Sequence, residues 1–144
     1  MLSLSTKGRY ATRIMVYMAR KGNTARKEDI AREEGISPDY VEQILIKLKA
    51  GGLVKSHRGA RGGFTLTRPP ETITVTDVLS AAEGAMNLAP CDSSKCNRAS
   101  VCVTRRLWQK AEEQLHRTFS ETTIAQLARQ AEELQEATGG NYEI

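Results

Sequence analysis

Apolar residues recur at helical spacing through the first fifty positions, and breaks in that pattern predict three helices. The first covers 5–21 and the second about 27–34. Gly35 forms a tight turn, after which Ser37 is placed to cap a third helix that ends at Gly51-Gly52. Two helices joined by so short a turn are typical of a helix-turn-helix.

Two short strands follow the third helix. Leu53–Ser56 and Gly63–Thr67 have the composition of strands, and between them lies a glycine-rich turn that carries Arg58 and Arg61. Pro69 ends the second strand. Three helices, a strand, a basic hairpin tip and a second strand, in that order, are typical of a winged helix.

The second half of the chain is predicted to be helical except for one loop. Thr74 and Asp77 are spaced as a capping box for a short helix, and 85–102 shows no periodicity. Two amphipathic helices follow, one of about 17 residues from Val103 and one from Ile124. The predicted fold class is mainly α with a small β-hairpin wing, divided into a winged helix-turn-helix DNA-binding domain (1–84), a cysteine loop (85–103) and dimerisation helices (104–138).

Charge is unevenly distributed along the chain. Residues 1–70 contain 14 Lys and Arg against 6 Asp and Glu, which gives +8, whereas residues 71–144 contain 7 against 11, which gives −4. A basic half joined to an acidic half indicates a polyanion-binding module followed by a different one. With a helix-turn-helix in the basic half, the expected polyanion is double-stranded DNA.

The third helix is the predicted recognition helix, because the first turn of such a helix reaches base edges in the major groove. Glycines beside the wing arginines would allow one of them to enter a narrow minor groove, and the first helix begins with residues suited to phosphate. A solvated hairpin tip, and acidic residues that serve only the helix dipole, are the alternatives. The predicted DNA-binding residues are Lys7, Arg9, Tyr10, Ser37, Pro38, Asp39, Tyr40, Glu42, Gln43, Arg58 and Arg61.

The helix after the cysteine loop has an apolar stripe that must be covered. We expect a second copy of the chain to cover it, because a two-fold dimer reads two half-sites of DNA and gains specificity. Packing against the chain's own core is the alternative. The predicted dimerisation residues are Leu107, Trp108, Leu115 and Phe119.

All three cysteines, Cys91, Cys96 and Cys102, lie within twelve residues of a hydrophilic loop. Such a compact set of soft donors favours an iron–sulfur cluster, with zinc and a reversible disulfide switch as alternatives. An enzyme that uses the thiols is a remote alternative, because the chain has only two histidines and no nucleophile motif. We therefore expect no enzymatic activity. No apolar run reaches the 18 residues of a membrane span, and the N-terminus does not resemble a signal peptide, so a cytoplasmic protein with no membrane partner is expected.

Several motifs together resemble the IscR-type bacterial regulators over nearly the whole chain. They are Ser5-Thr6-Lys7-Gly8-Arg9-Tyr10-Ala11, the turn Gly35-Ile36-Ser37 with Tyr40, Glu42 and Gln43, the junction Gly51-Gly52-Leu53-Val54, the wing Arg58-Gly59 with Gly62-Gly63-Phe64, and the cysteine loop followed by Leu107-Trp108. The resemblance implies a homodimeric transcription factor whose three cysteines hold an iron–sulfur cluster that controls promoter binding. IscR-like members usually hold 2Fe-2S, which is favoured here, and the NsrR relatives hold 4Fe-4S.

The chain departs from both groups at the fourth ligand. IscR proteins have a histidine three residues after the last cysteine, where this chain has Arg105, which cannot ligate. NsrR relatives use an acidic residue near the N-terminus of the other subunit, where this chain has Lys7-Gly8-Arg9. The remaining candidates for the fourth ligand are His57, Asp92, Asn97, Thr104 and His116.

Overall fold

A computed structural model describes residues 2–91 and 94–139 of the chain. It confirms the predicted fold class, with helices and one antiparallel hairpin in the expected order. The elements are α1 (Thr6–Lys21), α2 (Lys27–Glu34), α3 (Pro38–Ala50), β1 (Val54–His57), β2 (Gly63–Leu66), a 3-10 turn (Pro70–Thr72), α4 (Val75–Glu83), α5 (Val103–Glu121) and α6 (Ile124–Gly139).

Polar side chains begin several of these helices, as the sequence predicts. The Ser37 hydroxyl accepts a hydrogen bond from the backbone N–H of Tyr40 at 3.3 Å, which caps α3. Thr74 and Asp77 form the complete capping box of α4. Such a cap contributes about 1 kcal/mol to helix stability because it satisfies a backbone N–H that the helix leaves unpaired.

The hydrophobic core lies between α1, α3, α4 and the start of α6. Ile14 of α1, Leu45 of α3, Val78 of α4 and Ile124 of α6 are fully or almost fully buried in one cluster. The backbone fixes the return of the chain at α6, since the Ile124 N–H donates to the carbonyl of Ile73 at 2.8 Å. The C-terminal helix α6 therefore packs against α1 and the 3-10 turn of its own chain.

The wing is a two-stranded sheet braced by a third segment. Val54 pairs with Leu66 at its base and His57 with Gly63 at its tip. Phe64 also exchanges two backbone hydrogen bonds with Ala25, at 2.8 and 2.9 Å, which ties the wing to the start of α2. Gly63 is required at this junction, because a Cβ there would lie 2.5 Å from the Ala25 carbonyl oxygen.

Helix α5 runs for 19 residues and has no buried residue. It extends two residues beyond the end predicted at Phe119, and Thr123 then caps α6 by accepting from the Gln126 N–H at 3.2 Å. The described residues include no helix that is both long and apolar enough to span a membrane.

Candidate nucleic-acid interface and cysteine loop

The first turn of α3 points its polar residues into solvent. Asp39, Glu42 and Gln43 are all exposed, and buried apolar residues hold the opposite side of α3 in the core. Glu42 forms an ion pair with Lys27 of α2, with 3.4 Å between its carboxylate oxygen and the lysine Nζ. The exposed polar edge of α3 is therefore displayed on a rigid support, as an element that enters a DNA groove requires.

Tyr10 and Tyr40, both predicted to contact DNA, contact each other. Their ring centroids are 5.9 Å apart in an edge-to-face arrangement, and both side chains are half-buried. The guanidinium of Arg13 lies 5.3 Å from the centroid of the Tyr10 ring. This pair joins α1 to α3 and so helps to fix the two helices relative to each other.

The wing presents two unpaired cations. Arg58 and Arg61 are both exposed, and neither has an ion-pair partner within 2–91 and 94–139. The tip itself is closed by a hydrogen bond from the Gly62 N–H to the Gly59 carbonyl at 2.9 Å. Arg26 donates from its guanidinium to the carbonyl of Ala60 and steadies the tip from the side of α2. Sequence reasoning missed this supporting role of Arg26.

The N-terminus of α1 carries a contact that the sequence does not reveal. The Glu83 carboxylate accepts hydrogen bonds from the Ser5 hydroxyl and from the Gly8 N–H, the latter at 2.9 Å. Lys7 is half-buried and Arg9 exposed beside it. The backbone N–H groups of Gly8 and Arg9 are thus already paired, the latter with the Ser5 carbonyl at 3.1 Å, so a phosphate there would be bound mainly by the side-chain charge of Lys7 and Arg9.

The cysteines occupy two settings. Cys91 and Cys96 are exposed in the loop, whereas Cys102 is half-exposed at the N-cap position of α5. A hydrogen bond with the Thr104 hydroxyl, 3.2 Å from the sulfur, and hydrogen bonds from backbone N–H groups of the first helical turn lower the pKa of the Cys102 thiol. A lowered pKa raises the thiolate fraction, and the thiolate is both the metal-binding and the reactive form.

Within 2–91 and 94–139, no three Cys, His, Asp or Glu side chains are gathered into a metal-binding group. The three thiols nonetheless fit an iron–sulfur cluster in donor type. Among the candidates for a fourth ligand, Asp92 lies outside the described residues. His57 is hydrogen-bonded to Thr65 of the wing at 2.7 Å. Helix geometry places His116 about 21 Å along α5 from Cys102.

Arg105, at the position where IscR-type proteins have histidine, faces a cavity of about 410 Å³ that Cys91 and Trp108 also line. Its Nε atom is buried and has no hydrogen-bond partner among the described residues. A guanidinium cannot ligate a metal, but it can donate hydrogen bonds to sulfur or to another anion. The arrangement offers an unused N–H donor beside one of the three cysteines.

The predicted dimerisation stripe is largely uncovered. The side chains of Leu107, Trp108 and Leu115 are 55%, 41% and 39% exposed. Phe119, at the end of α5, is half-buried and lines an apolar groove with Val16 of α1 and other residues of α4 and α6. The stripe on α5 therefore lies on the surface of the single chain, next to that groove.

Comparison with known proteins identifies regulators of transcription. Residues 4–130 match the Rrf2 family, described as iron-dependent transcriptional regulators. The protein rrf2 of Nitratidesulfovibrio vulgaris is 35% identical over 134 residues, which cover 90% of this chain and 89% of that protein.

Two solved structures are similar over most of the chain. The structure of IscR from T. potens has a TM-score of 0.77 and 32% identity, covering 93% of this chain and 91% of that one. The structure of CymR, the global cysteine regulator of B. subtilis, has a TM-score of 0.75 and 34% identity, covering 90% of this chain and 98% of that one. The chain is thus similar both to IscR and to a cysteine regulator.

Proposed function

Because the chain belongs to the Rrf2 family of transcriptional regulators, we propose that it reads two half-sites of a promoter duplex as a homodimer under the control of its cysteine loop. The observation that carries the proposal is that the chain presents both an exposed polar turn on α3 and, on the wing, two arginines without ion-pair partners in the described part of the chain. One element suits the major groove and the other the minor groove.

In the major groove, the first turn of α3 provides both acceptors and donors for base edges. The carboxylates of Asp39 and Glu42 accept from the amino group of cytosine, and the Gln43 amide pairs with adenine. These carboxylates repel phosphates, so they weaken binding to arbitrary DNA and favour sequence discrimination. Lys7 and Arg9 supply charge for the phosphate backbone.

The dimer is proposed to form through the exposed stripe on α5. Large apolar side chains left exposed along one helix, among them a tryptophan, are typical of an interface with another protein surface. A two-fold pair of α5 helices would place two recognition helices on one duplex, which is how dimeric helix-turn-helix proteins read paired half-sites.

The three thiols are proposed to hold an iron–sulfur cluster, with 2Fe-2S favoured over 4Fe-4S. When bound, the cluster supplies a redox-active and chemically labile group whose state can be sensed. Cys91, Cys96 and Cys102 would hold it, and Arg105, which cannot be a ligand, would offer its Nε–H as a hydrogen-bond donor in the cavity that Cys91 lines. The support is the donor type of the loop, the buried unpaired Nε of Arg105, and the family's description as iron-dependent.

Iron and acid-labile sulfide measured on protein purified without oxygen test this proposal. We expect iron and sulfide in equal amounts, and visible absorption that is lost when Cys96 is replaced by alanine. Removal of the cluster should change the DNA affinity of the wild type. The same treatment should leave the DNA affinity of Cys96→Ala unchanged, because that variant has no cluster to lose. Stoichiometric zinc in a colourless anaerobic preparation would refute the cluster.

A second candidate is a DNA-binding regulator switched by thiol oxidation without a metal. The lowered pKa of the Cys102 thiol favours it, because the thiolate is the form that reacts with oxidants. The same metal analysis separates the two functions, because a thiol switch predicts protein without iron. A thiol switch also predicts that oxidation changes the DNA affinity and that a reductant reverses the change.

A further inference from the structure

Ile46 is a large aliphatic residue with no apolar cover. It is 62% exposed, and it is the only large exposed hydrophobic residue on α3 among the residues that the structure describes. The other large exposed apolar residues lie near the N-terminus, in the cysteine loop and on α5 and α6. Folding therefore leaves one apolar side chain in water on the helix that is proposed to enter DNA.

The position of Ile46 on α3 places it on the DNA-reading face. The buried residues Val41, Ile44, Leu45 and Leu48 define the side of the helix that faces the core. Ile46 lies three residues after Gln43 and four after Glu42, which puts it on the same face as those residues and about 6 Å further along the helix from Glu42. It continues the polar reading edge by one turn.

The surroundings of Ile46 suit DNA better than an apolar protein surface. Lys47 follows it and Lys49 is exposed beyond, with the Lys49 ammonium group donating to the Ser56 hydroxyl of β1 at 2.9 Å. On the face of α3 that carries Ile46, Glu42 and Gln43 lie one turn before it and Lys49 one turn after it, so the aliphatic side chain is flanked by polar groups, one of them a cation suited to a phosphate wall. The apolar feature that the major groove presents to such a side chain is the C5-methyl group of thymine.

We infer that Ile46 is a specificity-determining residue that reads thymine through its C5-methyl group. The inference depends on the proposed function, since it requires α3 to lie in the major groove. Without the thymine methyl group, less apolar surface is buried against Ile46, and the DNA affinity falls about fourfold. Glu42 and Gln43 read hydrogen-bonding edges, so Ile46 adds a kind of recognition that they cannot supply.

Replacement of thymine by deoxyuridine tests the inference, because uracil differs from thymine only by the methyl group. Duplexes would first be enriched from a random pool by the full-length wild-type protein. Each thymine of the enriched site is then replaced singly, and the dissociation constant is measured at fixed salt. We expect one thymine per half-site at which deoxyuridine weakens wild-type binding about fourfold, and no such effect there for Ile46→Ala.

Leu2→Ala is the control, because Leu2 is also an exposed aliphatic residue but lies outside α3 and outside the proposed dimerisation helices, and this variant should keep the wild-type sensitivity to deoxyuridine. The inference is overturned if no replacement weakens wild-type binding, or if Ile46→Ala retains the full penalty at the same base. Failure to enrich any sequence would instead refute the proposed DNA reading itself, and the inference with it.

Discussion

Replacing Gly51 by alanine puts a methyl group where α4 already lies. The new Cβ would be 2.5 Å from the Cβ of Ala81 and 3.3 Å from its Cα. Gly51 has φ −78°, a value that any residue adopts, so the substitution causes no backbone strain. Its effect therefore measures how closely the end of α3 packs against α4.

The expected cost is about 1–3 kcal/mol of unfolding free energy, the range for overpacking where neither side can yield. Ala81 has no flexible side chain to move aside, so one of the two helices must shift. In an Ala81→Gly background the clash is gone, and Gly51→Ala should be neutral or stabilising by up to about 1 kcal/mol, because alanine restricts the unfolded chain.

The wild type, Gly51→Ala, Ala81→Gly and the double variant form a double-mutant cycle. Urea unfolding of these four proteins at one protomer concentration gives the coupling free energy between positions 51 and 81. Holding concentration fixed matters because a dimer gains stability by association. A coupling of about 1 kcal/mol or more between Gly51 and Ala81 is expected. If Gly51→Ala costs the same in both backgrounds, the close packing of α3 on α4 is not the cause and the reasoning fails.

Three further predictions concern the wing, the stripe and the thiols. Arg58→Ala should weaken DNA binding and reduce the slope of log affinity against log salt concentration by about one unit per protomer. Titrations at several salt concentrations measure this slope, and an unchanged slope contradicts a contact of Arg58 with the groove. Trp108→Glu should convert dimer to monomer in sedimentation velocity, whereas Lys110→Glu on the same helix should not; a dimeric Trp108→Glu would exclude α5 as the interface. In metal-free protein, the pH midpoint for alkylation of Cys102 should rise in Thr104→Val, since the hydrogen bond from Thr104 lowers the Cys102 pKa; an identical midpoint contradicts that cause.

Features set by neighbouring residues were predictable from the sequence. The caps at Ser37 and Thr74 depend on side chains within three residues of the N–H groups that they satisfy, so their spacing predicted them. Gly51-Gly52 was correctly predicted to end α3, but the two glycines act differently. Gly52 adopts φ +75°, while Gly51 is required by Ala81, thirty residues away. The first role is visible in the sequence and the second is not.

Contacts between distant segments could not be predicted in the same way. The sequence around Tyr10 does not indicate that its ring in α1 contacts the ring of Tyr40 in α3. Both residues were therefore predicted only as DNA-binding residues. The link between Glu83 and Gly8 joins residues 75 positions apart. Neither residue carries a local pattern for it beyond the presence of a glycine inside a helix.

The contact between Glu83 and Gly8 also bears on how the two halves of the molecule communicate. Glu83 is the last residue of α4, directly before the loop that carries the cysteines, and its carboxylate is hydrogen-bonded at the N-terminus of α1, beside Lys7 and Arg9. Gly84, the next residue, donates its backbone N–H to the Ser80 carbonyl at 2.9 Å, so the end of α4 is fixed both within the helix and to α1. The spacing of the cysteines indicates what the loop can bind, but only the folded chain shows that the helix before the loop ends at a residue hydrogen-bonded to the proposed phosphate-binding end of α1.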